Sequence, residues 1–159
     1  MPQALTKEQA LQKLRQFCAY QERSHQDVQQ KLYALKVARR DHDEIIATLI
    51  EEDYLNEQRF AEQFTGGKFR MKGWGKNKIL QKLKEKNVSS FVINAAMKEI
   101  DEEDYLQNLK KDAEKKYEAL KHEQHLVRKK KTINYLLQKG YEYSLISRIL
   151  PSLGKDNEA

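Results

Sequence analysis

Residues 80–87, LQKLKEKN, and residues 133–140, INYLLQKG, share one arrangement: an apolar residue, Leu three positions on, Lys three further, then Asn or Gly. Steps of three keep the apolar pair on one helix face. Asn87 and Gly140 are residue types that accept the left-handed conformation closing a helix, so a helix is predicted to end at each. Behind each end comes a second pattern, apolar residues at i, i+1, i+4 and i+5. It reads Val92, Ile93, Ala96, Met97 in one place and Leu145, Ile146, Ile149, Leu150 in the other. The same pair of signals occurs upstream, where Leu32, Leu35 and Val37 precede Ile45, Ile46, Leu49 and Ile50.

Longer amphipathic segments stand before these pairs: Leu11, Leu14 and Cys18; Phe60 and Phe64; Leu106, Leu109, Ala113 and Leu120. The chain therefore reads as three copies of a three-helix unit, about nine helices and no sheet. Expected helices run over about 6–21, 24–36, 42–53, 56–71, 76–86, 89–100, 102–120, 125–139 and 143–150. Thr6 with Gln9, Ser24 with Asp27, Asp41 with Glu44, and Asp101 with Asp104 place a capping oxygen before an acid or amide three residues on. Gly66 and Gly67 weaken the fourth helix by about 1 kcal/mol each relative to Ala. The division is repeat 1 at 1–55, repeat 2 at 56–101 and repeat 3 at 102–151, with a disordered tail at 152–159. Small units that cannot bury an apolar stripe alone do so by stacking, which predicts an elongated, curved all-α array.

Composition agrees with helices. Of 159 residues only 6 are Gly and 2 Pro, and 34% are charged, against a usual quarter; mean hydropathy is −0.90. A folded chain of this length buries roughly two-thirds of its unfolded surface, enough for a core. The start, MPQALTKEQA, lacks the basic, apolar, small-residue order of a signal peptide, and no run approaches the ~18 apolar residues of a membrane span. A cytoplasmic protein with no membrane association is expected. Cys18 is the one cysteine, and its spacing with Leu11 and Leu14 marks a small core residue.

Net charge is +6, but its distribution says more. Residues 41–63 hold eight acids against one Arg; residues 66–88 hold eight Lys or Arg against Glu85. On the helix from Lys76, Ile79, Leu80 and Leu83 face one way, with Lys78 and Lys82 opposite. On the helix containing HLVRKKKTINYLL, Leu126, Ile133 and Leu137 make the expected buried stripe. Arg128, Lys131 and Tyr135 lie on its far side, and Lys129 and Lys130 flank it. Basic faces with nearby aromatics can neutralise phosphates and stack on bases, or can be ordinary solvated faces. Trp74, between Gly73 and Gly75, is either an exposed stacking group or a core plug.

Catalytic chemistry has no foothold in the sequence. His25, His42, His122 and His125 form no HExxH arrangement, and no Walker-type or GxGxxG glycine pattern is present. Asp41, Asp43 and Glu44 are more economically a helix start, where the dipole favours acids. No enzyme, metal or cofactor is expected.

Three segments in order, RSHQDVQQKL from Arg23, IEEDYLNEQRFAEQF from Ile50 and KFRMKGWGKNKILQKLKEKNV from Lys68, resemble the RecX family, bacterial regulators of the RecA recombinase. The most specific parts are Tyr54-Leu55 followed by Arg59-Phe60-Ala61, and Gly73-Trp74-Gly75 followed by the basic helix. Two places depart from the family pattern: Asn56-Glu57 where two Asp are usual, and Gly66-Gly67 in a segment usually rich in helix formers. The resemblance implies a tandem array of three-helix repeats and a non-enzymatic protein; a monomer is expected. Such a protein lodges in the groove of the RecA filament on single-stranded DNA and restrains ATP hydrolysis, strand exchange and coprotease action. Lys72, Trp74, Lys76, Lys78, Lys82, Arg128 and Lys131 are the expected filament or DNA contacts, and the acidic segment 41–62 would meet basic protein surface. The alternative is a helical module that coats single strands or duplex DNA.

Overall fold

The computed structural model describes residues 4–154, and among these the regular structure is helical throughout, with no strand. The helices are α1 (Lys7–Tyr20), α2 (His25–Ala34), α3 (Arg39–Glu51), α4 (Glu57–Lys72), α5 (Lys76–Glu85), α6 (Ser90–Met97), α7 (Glu102–Ala119), α8 (His125–Gln138) and α9 (Tyr143–Ile149). A 3-10 turn, Leu150–Ser152, follows. All nine expected helices are present, with ends displaced by a few residues.

The predicted helix ends have a shared physical cause. Lys36, Asn87 and Gly140 all have positive φ, at 58°, 61° and 100°. In each case the next residue donates its N–H back five positions: Val37 to Leu32 O at 3.0 Å, Val88 to Leu83 O at 3.1 Å, Tyr141 to Leu136 O at 3.1 Å. The left-handed residue itself bonds three positions back, to the carbonyls of Tyr33, Lys84 and Leu137. This is a Schellman closure, and the apolar pair that accompanies it is buried each time: Leu32 with Val37, Leu83 with Val88, Leu136 with Tyr141. Asp53, φ 62°, closes α3 in the same way through Tyr54 N–H and Leu49 O.

Two helix starts are reciprocal capping boxes, as expected. Thr6 Oγ1 accepts from Gln9 N–H at 3.1 Å while Gln9 Oε1 accepts from Thr6 N–H at 3.0 Å. Ser24 and Asp27 exchange the same two bonds, both at 3.0 Å. Asp101 caps α7 by accepting from Asp104 N–H. The expected cap at Asp41 is corrected: α3 begins earlier, from Ala38 without a side-chain cap, and Asp41 sits in its first turn. α4 runs unbroken through Gly66 and Gly67.

Two compact units make up the chain, Met1–Phe64 with Leu83–Ala96, and Thr65–Lys82 with Met97–Ala159. The middle repeat of the sequence division is thus shared between them. In the first unit α1, α2 and α3 close around Leu14, Val28, Leu32, Ile45, Leu49 and Leu55, all at most 1% exposed. Cys18 belongs to this core, and burial pushes its thiol up to about 11, so it is an inert packing group. Arg59 ties this unit's rim, its Nε 2.5 Å from Glu22 and its other nitrogens on the Asp53 side chain and carbonyl. His42, 1% exposed, donates from Nε2 to Val37 O at 2.9 Å, which leaves Nδ1 to accept from Gln29 at 2.8 Å.

In the second unit an aromatic line runs from Phe69 to Tyr105 to Tyr141 with ring centroids 5.9 and 5.5 Å apart, and Leu109, Ala113, Leu136 and Ile146 are fully buried. The buried face of α8 agrees with expectation at Leu136, which is predicted to face the core, and differs from it at Leu126 and Leu137. Thr132 and Leu136 are fully buried, whereas Leu126 is 71% and Leu137 42% exposed. Thr132 enters the core because its hydroxyl donates to Arg128 O at 2.8 Å, which satisfies the polar atom inside its own helix. Of the tail expected to lack structure, Ser152–Gly154 are described, and Leu153 is buried. The rest of that expectation, 155–159, lies outside the described residues.

Leu136→Ala should therefore destabilise the protein by about 2–5 kcal/mol, and Leu137→Ala by less than about 1 kcal/mol, compared by urea midpoints. A pH effect follows from Asp27. Burial raises its pKa, but the Ser24 N–H and Lys86, 3.1 Å away, outweigh burial and hold it below the usual 3.8. A depressed folded pKa means its contribution to stability is full above about pH 4 and is lost as pH falls through the folded value. Lys86→Met is expected to move the Asp27 carboxyl titration, followed by NMR, upward toward its ordinary value.

Candidate basic interaction surface

Between α4 and α5 the backbone is fixed by contacts that only glycine permits. Gly73 has φ +65° and donates to Phe69 O, and Trp74 N–H reaches Lys68 O at 3.1 Å, which ends α4. Gly75 then meets the α8–α9 turn backbone to backbone: a Cβ on Gly75 would lie 2.3 Å from Gly140 C, and a Cβ on Gly140 2.4 Å from Lys78 Cβ. The first amides of a helix have no partner inside it. Here Gly75 N–H donates to Lys139 O at 2.7 Å, Asn77 N–H to Gly140 O at 2.9 Å, and Lys76 N–H to Tyr105 Oη at 2.9 Å. The α8–α9 turn and Tyr105 supply what a capping side chain supplies elsewhere.

A polar network secures that dock. Tyr105 Oη donates to Glu142, and burial first, then this bond, raises its pKa. Tyr141 Oη lies 3.0 Å from Asp112 Oδ2 and 3.3 Å from Gly73 O. Burial and the Asp112 charge raise the Tyr141 pKa as well. Lys139 Nζ closes on the same Asp112 oxygen at 3.2 Å.

The expected contact residues and their neighbours have these places on this frame. Trp74 is half-buried, and two ammonium groups sit near its ring: Lys78 Nζ 4.5 Å and Lys68 Nζ 4.9 Å from the centroid. A cation at that distance is held by the ring quadrupole. Lys78 and Lys82, both half-buried, line a small groove of ≈ 220 Å³ with Asn77, Gln81 and Leu137. Lys72 is exposed at the end of α4. The structure thus gathers Trp74, Lys78 and Lys82, and adds Lys68, which sequence reasoning did not select.

Lys76, Arg128 and Lys131 are engaged within the fold. Lys76 Nζ is 2.7 Å from Glu102 and 4.5 Å from the Tyr105 centroid. Arg128, expected on the outer side of α8, instead lies flat on Tyr117, Cζ 3.5 Å from the centroid, and its Nε donates to Tyr117 O at 2.8 Å. Lys131 pairs with Glu123 at 2.6 Å, and that bond lowers the Glu123 pKa. Among the described residues no group of three His, Cys, Asp or Glu is placed to hold a metal ion, and no helix is long and apolar enough to cross a membrane.

Residues 56–97 match the family model of the second three-helix domain of RecX, and residues 102–150 that of the third. The chain belongs to the RecX family. Its curated RecX relatives include the regulatory protein RecX of Oceanobacillus iheyensis, 28% identical over 137 residues, which covers 86% of this chain and 50% of that one. The regulatory protein RecX of Clostridium perfringens is 36% identical over 110 residues, covering 68% and 51%. This chain therefore spans about half the length of these RecX relatives. The crystal structure of RecX from Lactobacillus salivarius shares the fold, with TM-score 0.82 and 23% identity over 92% of this chain and 96% of that one. A second solved RecX structure gives TM-score 0.84 at 20% identity, covering 90% and 72%. The RecX second-domain match contains the Trp74 loop and α5; the third-domain match contains Gly140.

The glycine contact is open to a direct check. Gly75→Ala should cost about 1–3 kcal/mol, because a methyl cannot enter a backbone-to-backbone contact without displacing the turn. Gly67→Ala, where an added Cβ meets nothing within 4 Å, should be neutral or stabilise by up to about 1 kcal/mol. Thermal or urea unfolding of both variants compares them.

Proposed function

We propose that this protein regulates recombination and DNA repair without catalysis of its own, by binding the RecA filament on single-stranded DNA and restraining its ATPase, strand-exchange and coprotease activities. The family supplies the class of partner. The observation that carries the reading to particular residues is the basic junction between α4 and α5, where Lys68, Trp74, Lys78 and Lys82 stand on a backbone locked by Gly75 and Gly140. A rigid mount matters because a charged contact adds more affinity when its side chains and loop are already ordered before binding.

Within this reading the contact set is Lys72, Trp74, Lys78 and Lys82, joined by Lys68. Lys76 and Lys131 act one step back, holding Tyr105 and Glu123 in place, while Arg128, held against Tyr117 through its Nε, still presents its outer nitrogens. The acidic residues 41–62 would face basic protein surface on the filament. The protein works in the cytoplasm as a monomer.

RecA ATPase on single-stranded DNA, measured with increasing amounts of this protein, tests the proposal. Wild type should slow hydrolysis at amounts well below saturation of the DNA. Lys78→Glu with Lys82→Glu should raise the half-inhibitory concentration about tenfold, equivalent to roughly 1.4 kcal/mol, while circular dichroism stays helical. Unchanged ATPase until the protein exceeds the DNA would instead favour a module that merely coats the strand.

A further inference from the structure

The first unit carries a second basic groove, and none of the residues that the family resemblance singles out as a contact lines it. It has a volume of ≈ 380 Å³ and is lined by Phe17, Gln21, Arg23, Gln30, Lys31 and Lys86, with Asp27 among them. Its geometry starts from Arg23. The guanidinium carbon lies 3.7 Å from the Phe17 centroid, and Nε donates to Phe17 O at 2.9 Å. Both contacts hold the guanidinium plane against the ring. Among the described residues neither Nη has a hydrogen-bond partner, so the fork that suits a phosphate or carboxylate is presented ready-made.

The charges around it are not balanced internally. Lys31 Nζ sits 5.4 Å from the same Phe17 ring and has no carboxylate partner among the described residues. The one acid, Asp27, is already satisfied: Oδ2 takes the Ser24 N–H and Oδ1 takes Lys86. Two positive charges are therefore left facing the groove. Beside them Tyr20 is 83% exposed, its ring centroid 5.9 Å from the Arg23 guanidinium carbon. An exposed aromatic of that size next to a pre-stacked arginine offers flat surfaces as well as charge.

We propose that this groove is a separate binding site for single-stranded nucleic acid. Phosphates would be held by Arg23 and Lys31, and a base would stack on Tyr20 or on the outer face of the Arg23 guanidinium. Gln21 and Gln30 carry both a donor and an acceptor, as base edges require. An acidic protein segment would use the two cations but has no use for the ring planes, which is why the strand is the better occupant. The inference shares with the proposed function the premise that this protein acts at single-stranded DNA, but it needs no recombinase and places the strand in the first unit.

Fluorescence anisotropy of a labelled oligothymidylate with the full chain, over a salt series and without RecA, decides it. Lys31→Ala with Arg23→Ala should lower affinity and reduce the magnitude of the log–log salt slope by about 1.4, that is ~0.7 for each phosphate no longer neutralised. Tyr20→Ala, at an exposed position where folding is not at stake, should lower affinity about five- to tenfold with the slope unchanged, the mark of missing base stacking. Lys31→Ala alone gives half the slope change should the double variant unfold. Wild-type affinity in Tyr20→Ala and Lys31→Ala overturns the proposal. So does polyglutamate displacing the oligonucleotide as well as unlabelled oligothymidylate does, which would make the groove a carboxylate site. Because RecA is absent, loss of ATPase inhibition in the earlier experiment and loss of strand binding here are independent results.

Discussion

The approach of Gly75 to Gly140 sets the terms for the second unit. Two main chains cannot come so close with a side chain between them, and the contact delivers the carbonyls of Lys139 and Gly140 to amides at the start of α5. That start has no capping side chain to fall back on. Tyr105, Tyr141, Asp112 and Glu142 then surround the dock with hydrogen bonds. Trp74 is held at a fixed place because the residues on either side of it are committed. The glycines flanking the tryptophan thus serve packing, and the tryptophan is what the packing presents.

Much of the positive charge is positioned by aromatic rings. Arg23 lies on Phe17, Lys68 and Lys78 near Trp74, Lys76 near Tyr105, Lys116 near Tyr135 and Arg128 on Tyr117. Long basic side chains cover apolar surface with their stems and leave the charged end at the water boundary. A cation so placed keeps most of its charge available while its position is narrowed. Cations that also meet a carboxylate, such as Lys76 with Glu102 and Lys131 with Glu123, are less available.

The helices and the way they end were legible because both signals are local. Period and capping chemistry read directly at Thr6, Ser24, Asn87 and Gly140. Lys36 and Asp53 close helices in the same left-handed conformation; the Lys residue type does not advertise it, and the buried Leu32–Val37 pair marks the closure there. On α8 the core position of Leu136 was legible, but Thr132 was missed because it looks polar in sequence and is buried only by bonding to its own helix. Of the basic residues, the sequence shows the charge but not the partners. Whether Lys76 faces Glu102, or Arg128 lies on Tyr117, depends on residues distant in the chain, which no local pattern reports.

Each three-helix copy begins its second helix in its own manner. α2 relies on Ser24 and Asp27 next to it in sequence, α5 on carbonyls borrowed from the following copy, and α8 starts after Gln124 with no side-chain bond. The copies have thereby ceased to be interchangeable. Moving the middle copy away from the last would strand the α5 amides, so the order of the copies is written into their hydrogen bonds.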